Sequence, residues 1–301
     1  MSPLLRRTLL VSGMAIGTSY GTTNALSQPI SVVDDARRIV ALNRPAQRII
    51  SLAPHATELL FEAGAGHRIV GVSDYSDYPE QAKKIASVGN FFALDLERII
   101  ALKPDLVVVW GTGNAKLLAN KLRDHHVTVF ESEPHDFAMV ASSLERLATL
   151  AGTEKIGQLA ASKFRNRLEL LRHTYQLKDK QQVVSVFYQV WNKPLMTLNS
   201  QHLVSAAISF CGGKNIFADL REISPTVNIE AVLAANPQAI VASDGEQQDV
   251  LAPWQAFPGL TAVSKSNLFR IQGDWMNRAG PRILDGTEAL CKDLAVARAK
   301  H

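Results

Sequence analysis

The side chains best suited to holding a ligand lie just past short apolar runs. Tyr75 and Tyr78 stand three apart in the polar stretch 71–79. Phe91 follows Asn90, Trp110 closes the apolar run 106–110, and Trp191 follows Gln189 and Val190. Asp274, Trp275, Met276, Asn277 and Arg278 come just after the run 268–271. If those runs are parallel strands, all these residues fall in the crevice beyond the strand C-termini, where α/β sheets bind ligands. Aromatic walls with few fixed charges suit a large, flat, mostly uncharged, amide-rich ligand better than a phosphate or a bare metal ion. The plainer alternative is that each ring only packs its own part of the fold.

Catalytic constellations are missing from the sequence. There is no GxSxG, no P-loop and no HExxH. None of the eight His pairs with another at i, i+4 on an apolar helix face. His55, after Pro54 at a helix start, is either a ligand contact or a satisfied residue of the cap region. A metal site needs several converging ligands, and no such cluster is visible. The sequence therefore points to a binding protein with no catalytic cofactor and no metal site. An enzyme of unknown reaction is the alternative from another class.

These residues need elements to place them. The segment 31–42 reads as a hairpin around Asp34 and Asp35. Short apolar strands are expected at 48–52, 69–72, 106–110 and 127–130, with helices opening at Thr57 and over 94–102. Residues 136–173 are helical with a break at Gly152 and Thr153. A helix from Glu154 to Arg172 would be about 28 Å long at 1.5 Å per residue, enough to bridge two lobes. The strand–helix pattern then restarts with strands at 183–190, 239–242 and 268–271 and a helix over 203–210. The expected fold is α/β: two Rossmann-like lobes with mostly parallel sheets, 26–137 and 177–301, joined by a helical linker, 138–176.

An internal repeat supports equal lobes. Residues 95–109 align without a gap on 228–242. Each segment starts with an N-cap type, Asp95 or Asn228, carries a Glu in the first turn, Glu97 or Glu230, and stops at Pro before an apolar strand.

The chain has 301 residues, 47% hydrophobic and 20% charged, with a formal charge of +4 and scattered Lys and Arg, which argues against nucleic acid as a partner. Residues 1–25 combine Arg6 and Arg7, a short apolar centre and a small-residue end at Ala25. They read as a secretory signal, with an amphipathic helix as the alternative. Removing them takes away two Arg and no acid, so the exported chain is close to neutral. Export to an oxidising compartment favours a Cys211–Cys291 disulfide over two buried thiols.

Four runs make a family resemblance specific: SDYSDYPEQAKKI (73–85), LDLERIIALKPDLVVVW (94–110), CGGKNIF (211–217) and GDWMNRAGPRIL (273–284). The chain resembles the periplasmic cobalamin-binding proteins of ABC importers, within the wider superfamily that also carries haem and siderophores. The resemblance implies a class III binding-protein fold, in which a rigid helix joins the lobes, and transport of cobalamin (vitamin B12) as cargo. It implies corrinoid contacts at Tyr75, at Trp110 and along 274–278, with Phe91 standing where a Trp is expected and Asn277 where an acid is expected. It implies that cobalt needs no protein ligand and that the two Cys pair. It implies further that Glu97 and Glu230 meet Arg residues on the inner-membrane permease subunits, although Glu in a first turn is also favoured by the helix dipole. A monomer is expected. A haem or ferric-siderophore carrier of the same fold is the alternative, with Tyr75 or His55 as axial ligand.

Overall fold

The computed structural model describes residues 29–90, 93–112, 115–175, 177, 182–244 and 249–300. The signal segment and Phe91 lie outside the described residues. The first described elements form an antiparallel hairpin, β1 (Ile30–Val33) and β2 (Ile39–Leu42). There follow β3 (Ile49–Ser51), α1 (Pro54–Glu62), β4 (Ile69–Val72), and the short antiparallel pair β5 (Gly89–Asn90) and β6 (Ala93–Leu94). The lobe is completed by α2 (Leu96–Ala101), β7 (Leu106–Trp110), α3 (Ala115–Asp124) and β8 (Val129–Ser132). Its parallel sheet has the order β4-β3-β7-β8.

Helices α4 (Phe137–Ala151) and α5 (Glu154–Tyr175) lead to the second lobe. That lobe runs β9 (Val184–Gln189), α6 (Leu203–Phe210), β10 (Gly213–Asn215), α7 (Ile229–Ala235) and β11 (Ala239–Asp244). It ends with α8 (Thr261–Ser264), β12 (Leu268–Gln272), α9 (Gly273–Met276) and α10 (Ile283–Ala299). Its parallel sheet has the order β10-β9-β11-β12. Numbered within each lobe, the two orders are the same.

The repeat sits where that symmetry requires. Strands β7 and β11 hold equivalent positions, and each follows a short helix capped by its first residue. Asp95 accepts from the Arg98 N–H at 2.9 Å, and Asn228 from the Ala231 N–H at 2.8 Å. Both strands are buried on both faces, which is why they read as continuous apolar runs.

Helix α5 spans about 33 Å at 1.5 Å per residue. It touches both lobes. Arg165 forms a two-pronged pair with Glu145 of α4 at 2.7 and 2.8 Å, while Arg167 meets Asp285 of α10 at 2.7 Å. The break before it is a left-handed Gly152, followed by Thr153, whose hydroxyl donates to the Ala63 carbonyl at 2.6 Å.

Three local expectations shift. The first helix begins at Pro54, a favoured first-turn residue, not at Thr57. The helix expected from 94 begins at Leu96, because Leu94 pairs with Gly89. The strand expected at 127–130 is Val129–Ser132. Val127 instead donates to the Leu122 carbonyl and closes the end of α3, and the strand runs on into Glu131, whose charge is met by Arg123 at 2.7 Å. Apolar patterning could not anticipate a buried acid with its own partner.

The Cys211–Cys291 disulfide ties the end of α6 to α10. Among the described residues no helix is long and apolar enough to cross a membrane.

Candidate functional site

The C-terminal ends of the two sheets deliver their following residues to a cleft between the lobes. Its floor is a cavity of about 140 Å³. Pro54, His55 and Trp110 come from the first lobe, Glu133 and His135 from the chain after β8, and His202, Asn277 and Arg278 from the second. Pockets that engulf a drug-sized ligand run to about 300–1,000 Å³. At that size this cavity cannot by itself engulf such a ligand.

Two of the histidines on the floor are held neutral by burial. His55 is buried, and an Nε2 hydrogen bond to the Ser132 carbonyl at 3.2 Å orients its ring. Burial pushes its pKa down to about 4, outweighing the opposing hydrogen bond to the Ser132 carbonyl. The Trp110 ring meets His55 edge-on at 6.0 Å. His202 caps α6, its Nδ1 accepting from the Val204 N–H at 3.1 Å, and burial likewise lowers it to about 4. Burial raises the Glu133 pKa, against hydrogen bonds from Thr112 and Trp110.

Across the cleft, three carboxylates, Asp274, Asp77 and Glu58, share two guanidiniums, Arg278 and Arg282. Arg278 pairs with Asp274 one turn earlier at 2.9 Å, and across the cleft with Asp77 at 2.7 Å and Glu58 at 3.2 Å. Burial pushes the Asp77 carboxyl up, but Arg278 outweighs it and holds the pKa below the usual range. Arg282 makes a two-pronged contact with Glu58 at 2.9 and 2.5 Å and lays its guanidinium over the Tyr78 ring at 4.1 Å.

Trp110, Asn277 and Arg278 thus converge on one cavity, and Asp274 joins through Arg278. Asn277 is fixed by the hydroxyl of buried Tyr188, which donates to its Oδ1 at 2.7 Å. Trp275 is half-buried in α9. Tyr75 and Trp191, one from each lobe, do not line the cavity and stay 78% and 62% exposed, a large apolar area left uncovered. Tyr75 has φ of +63°, a strained backbone for a non-glycine residue, and such strain clusters at ligand-contacting sites. Met276 needs correction. It is fully buried against Gly286 in the core of the second lobe and does not face the cleft. In a helical turn its position points away from the side shared by Asp274 and Arg278. Glu97 and Glu230 are both exposed, with no ion pair among the described residues.

Sequence reasoning missed Glu58, Arg282, Glu133 and His202. Glu58 left one signal, an acid amid the buried stretch of α1 from His55 to Leu60.

A family model described as periplasmic binding protein matches residues 49–274. The chain belongs to the periplasmic binding protein family. This binding protein is 41% identical over 256 residues to the vitamin B12-binding protein of Vibrio cholerae serotype O1, covering 84% of this chain and 91% of the relative. The crystal structure of the periplasmic vitamin B12 binding protein BtuF of Vibrio cholerae superposes with a TM-score of 0.76 at 41% identity, over 84% of this chain and 98% of that one. The periplasmic heme-binding protein RhuT from Roseiflexus sp. RS-1 superposes with a TM-score of 0.72 at 22% identity, over 84% and 99% of the two chains. That second likeness extends to the fold alone.

Proposed function

We propose that this protein captures cobalamin in the periplasm and hands it to an inner-membrane ABC transporter, without catalysis of its own. The observation that carries this reading is the 41% identity to a vitamin B12-binding protein, sustained over 256 residues and so over both walls of the cleft. The cleft supports it. Its floor carries Trp110 and two neutral histidines, and Arg278 there is already paired with carboxylates, which suits a bulky ligand that presents ring edges and amides. Cobalt would need no side chain from the protein, because the corrinoid brings its own lower base. Tyr75, Trp110, Trp191 and Trp275 would contact the corrinoid, as would Phe91 and the Asp274–Arg278 pair. The lobes, 26–137 and 177–301, would move little about the 138–176 linker. Glu97 and Glu230 would dock a monomer onto two permease subunits, after a signal peptide is removed near Ala25.

Calorimetric titration of residues 26–301, disulfide intact, with cyanocobalamin and with haemin in parallel tests this. One-to-one cyanocobalamin binding in the nanomolar range with weak haemin supports the proposal. Tight haemin with silent cyanocobalamin overturns it and makes Tyr75 the first candidate for an axial ligand.

A further inference from the structure

The groups that join the lobes beside the cavity are charged and sequestered. Glu58 of α1 has a side chain only 1% exposed, and its nearest cations belong to the other lobe, 220 and 224 residues away in sequence. Arg282 occupies both of its oxygens, at 2.9 and 2.5 Å, and Arg278 reaches Oε1 at 3.2 Å. Asp77 adds a second first-lobe carboxylate to Arg278 at 2.7 Å, and Tyr78 stacks on Arg282 at 4.1 Å. The backbone is close as well: a Cβ on Gly280 would stand 3.4 Å from Glu58 Oε2.

A buried carboxylate is strongly unfavourable without its partners. Opening the lobes would strip Glu58 of both cations at once. Buried pairs are also poorly screened by salt, so the contact persists at physiological ionic strength. Arg278 lines the cavity floor, and the same contact therefore fixes where that residue stands.

We infer that Glu58 is a positioning residue that latches the two lobes in the ligand-free protein and holds Arg278 at the cleft floor. A preset cleft spares the ligand the work of ordering it. The affinity part of this inference rests on the cobalamin reading; the latch itself does not.

The test uses the full exported chain with its disulfide intact. Spin labels at Lys121→Cys and Lys214→Cys report the distance between lobes by pulsed electron resonance. Glu58→Gln should broaden the ligand-free distance distribution and raise the cyanocobalamin Kd about tenfold, and saturating cyanocobalamin should narrow the distribution again. Glu62→Gln, an exposed acid on the same helix, should change neither. If Glu58→Gln does not fold, Arg282→Lys keeps the charge but loses the two-pronged contact and should broaden the distribution less. A ligand-free distribution identical to wild type in a folded variant overturns the latch, whatever happens to Kd. Wild type that fails to bind cyanocobalamin, while Glu58→Gln still broadens, sinks the proposed ligand and leaves the latch standing.

Discussion

The two lobes share a strand order and a capped helix leading into the third strand of each sheet, yet they are braced by different chemistry. The first lobe is braced by charge. Its hairpin turn folds onto the end of β8, where Asp34 accepts from the Glu131 N–H at 3.2 Å and Asp35 from the Glu133 N–H at 2.6 Å. Arg146 of α4 meets Asp35 at 2.7 Å. Among the described residues the second lobe has no such turn, and it is braced by the Cys211–Cys291 bond. One topology thus tolerates two independent ways of holding its outer elements. The lesson is that the sheet order sets where the cleft lies, while the bracing of its walls is free to differ.

The largest effect should come from breaking the covalent brace. The bond closes a separation of 80 residues, worth about 4–5 kcal/mol on the chain-entropy account. Cys211→Ser with Cys291→Ser should lower stability to guanidinium by that order, with the loss concentrated in the second lobe. An unchanged midpoint would mean packing alone holds α6 to α10.

Next comes the ionic brace. Asp35 is nearly buried and Arg146 largely so. Asp35→Ala takes the paired carboxylate from Arg146, which keeps the Val33 carbonyl and the Ser143 hydroxyl, and the acceptor from the Glu133 N–H, and should cost about 3 kcal/mol. Because Glu133 lines the cleft, ligand affinity should fall too. Chemical unfolding and titration of the same sample separate the two effects.

Acid should strike both lobes, through one histidine in each. His55 and His202 are held at about 4 when folded, against 6.5 as the ordinary value. Between those values the unfolded chain binds more protons, so stability is highest above about pH 6.5 and falls as pH drops toward 4. Each shift is worth on the order of 3 kcal/mol at most. Asp293, raised by burial to about 6, works in the opposite direction, and its partial exposure makes it the weaker influence. Melting curves from pH 7 to pH 4.5 should show a falling Tm, and His202→Gln should flatten that fall. A flat wild-type profile would contradict the burial argument.

Smaller again is the contribution of one ring to the ligand. Trp275→Ala should raise the cyanocobalamin Kd about tenfold, equivalent to about 1.4 kcal/mol. An unchanged Kd would place the corrinoid away from α9.

Much of this was legible in the sequence because it was local. The gapless repeat carried the equivalence of β7 and β11, and Trp110, at the end of its apolar run, marked one strand end that lines the cavity. What stayed hidden was long-range. Nothing near Glu58 in sequence announces cations 220 residues away. Nor did spacing alone separate Met276 from its neighbours, since only the turn of α9 sends it inward while Asp274 and Arg278 meet outside. Buried charges and short helices are where patterning fails, because the partner decides and the pattern does not.

The last comparison is between Glu97 and Glu230 themselves. As first-turn acids each is worth about 0.3–1 kcal/mol to its helix, so Glu97→Ala and Glu230→Ala should barely move Tm or the cyanocobalamin Kd. If the lobes present them as equivalent docking points to a two-fold partner, each single variant should slow transport to a similar degree and the pair should abolish it. Uptake into reconstituted vesicles carrying the cognate transporter reads this directly. Unequal single variants would mean the shared topology is not shared by the interface. Normal transport by the double variant would return both residues to their helices, as nothing more than favourable first-turn charges.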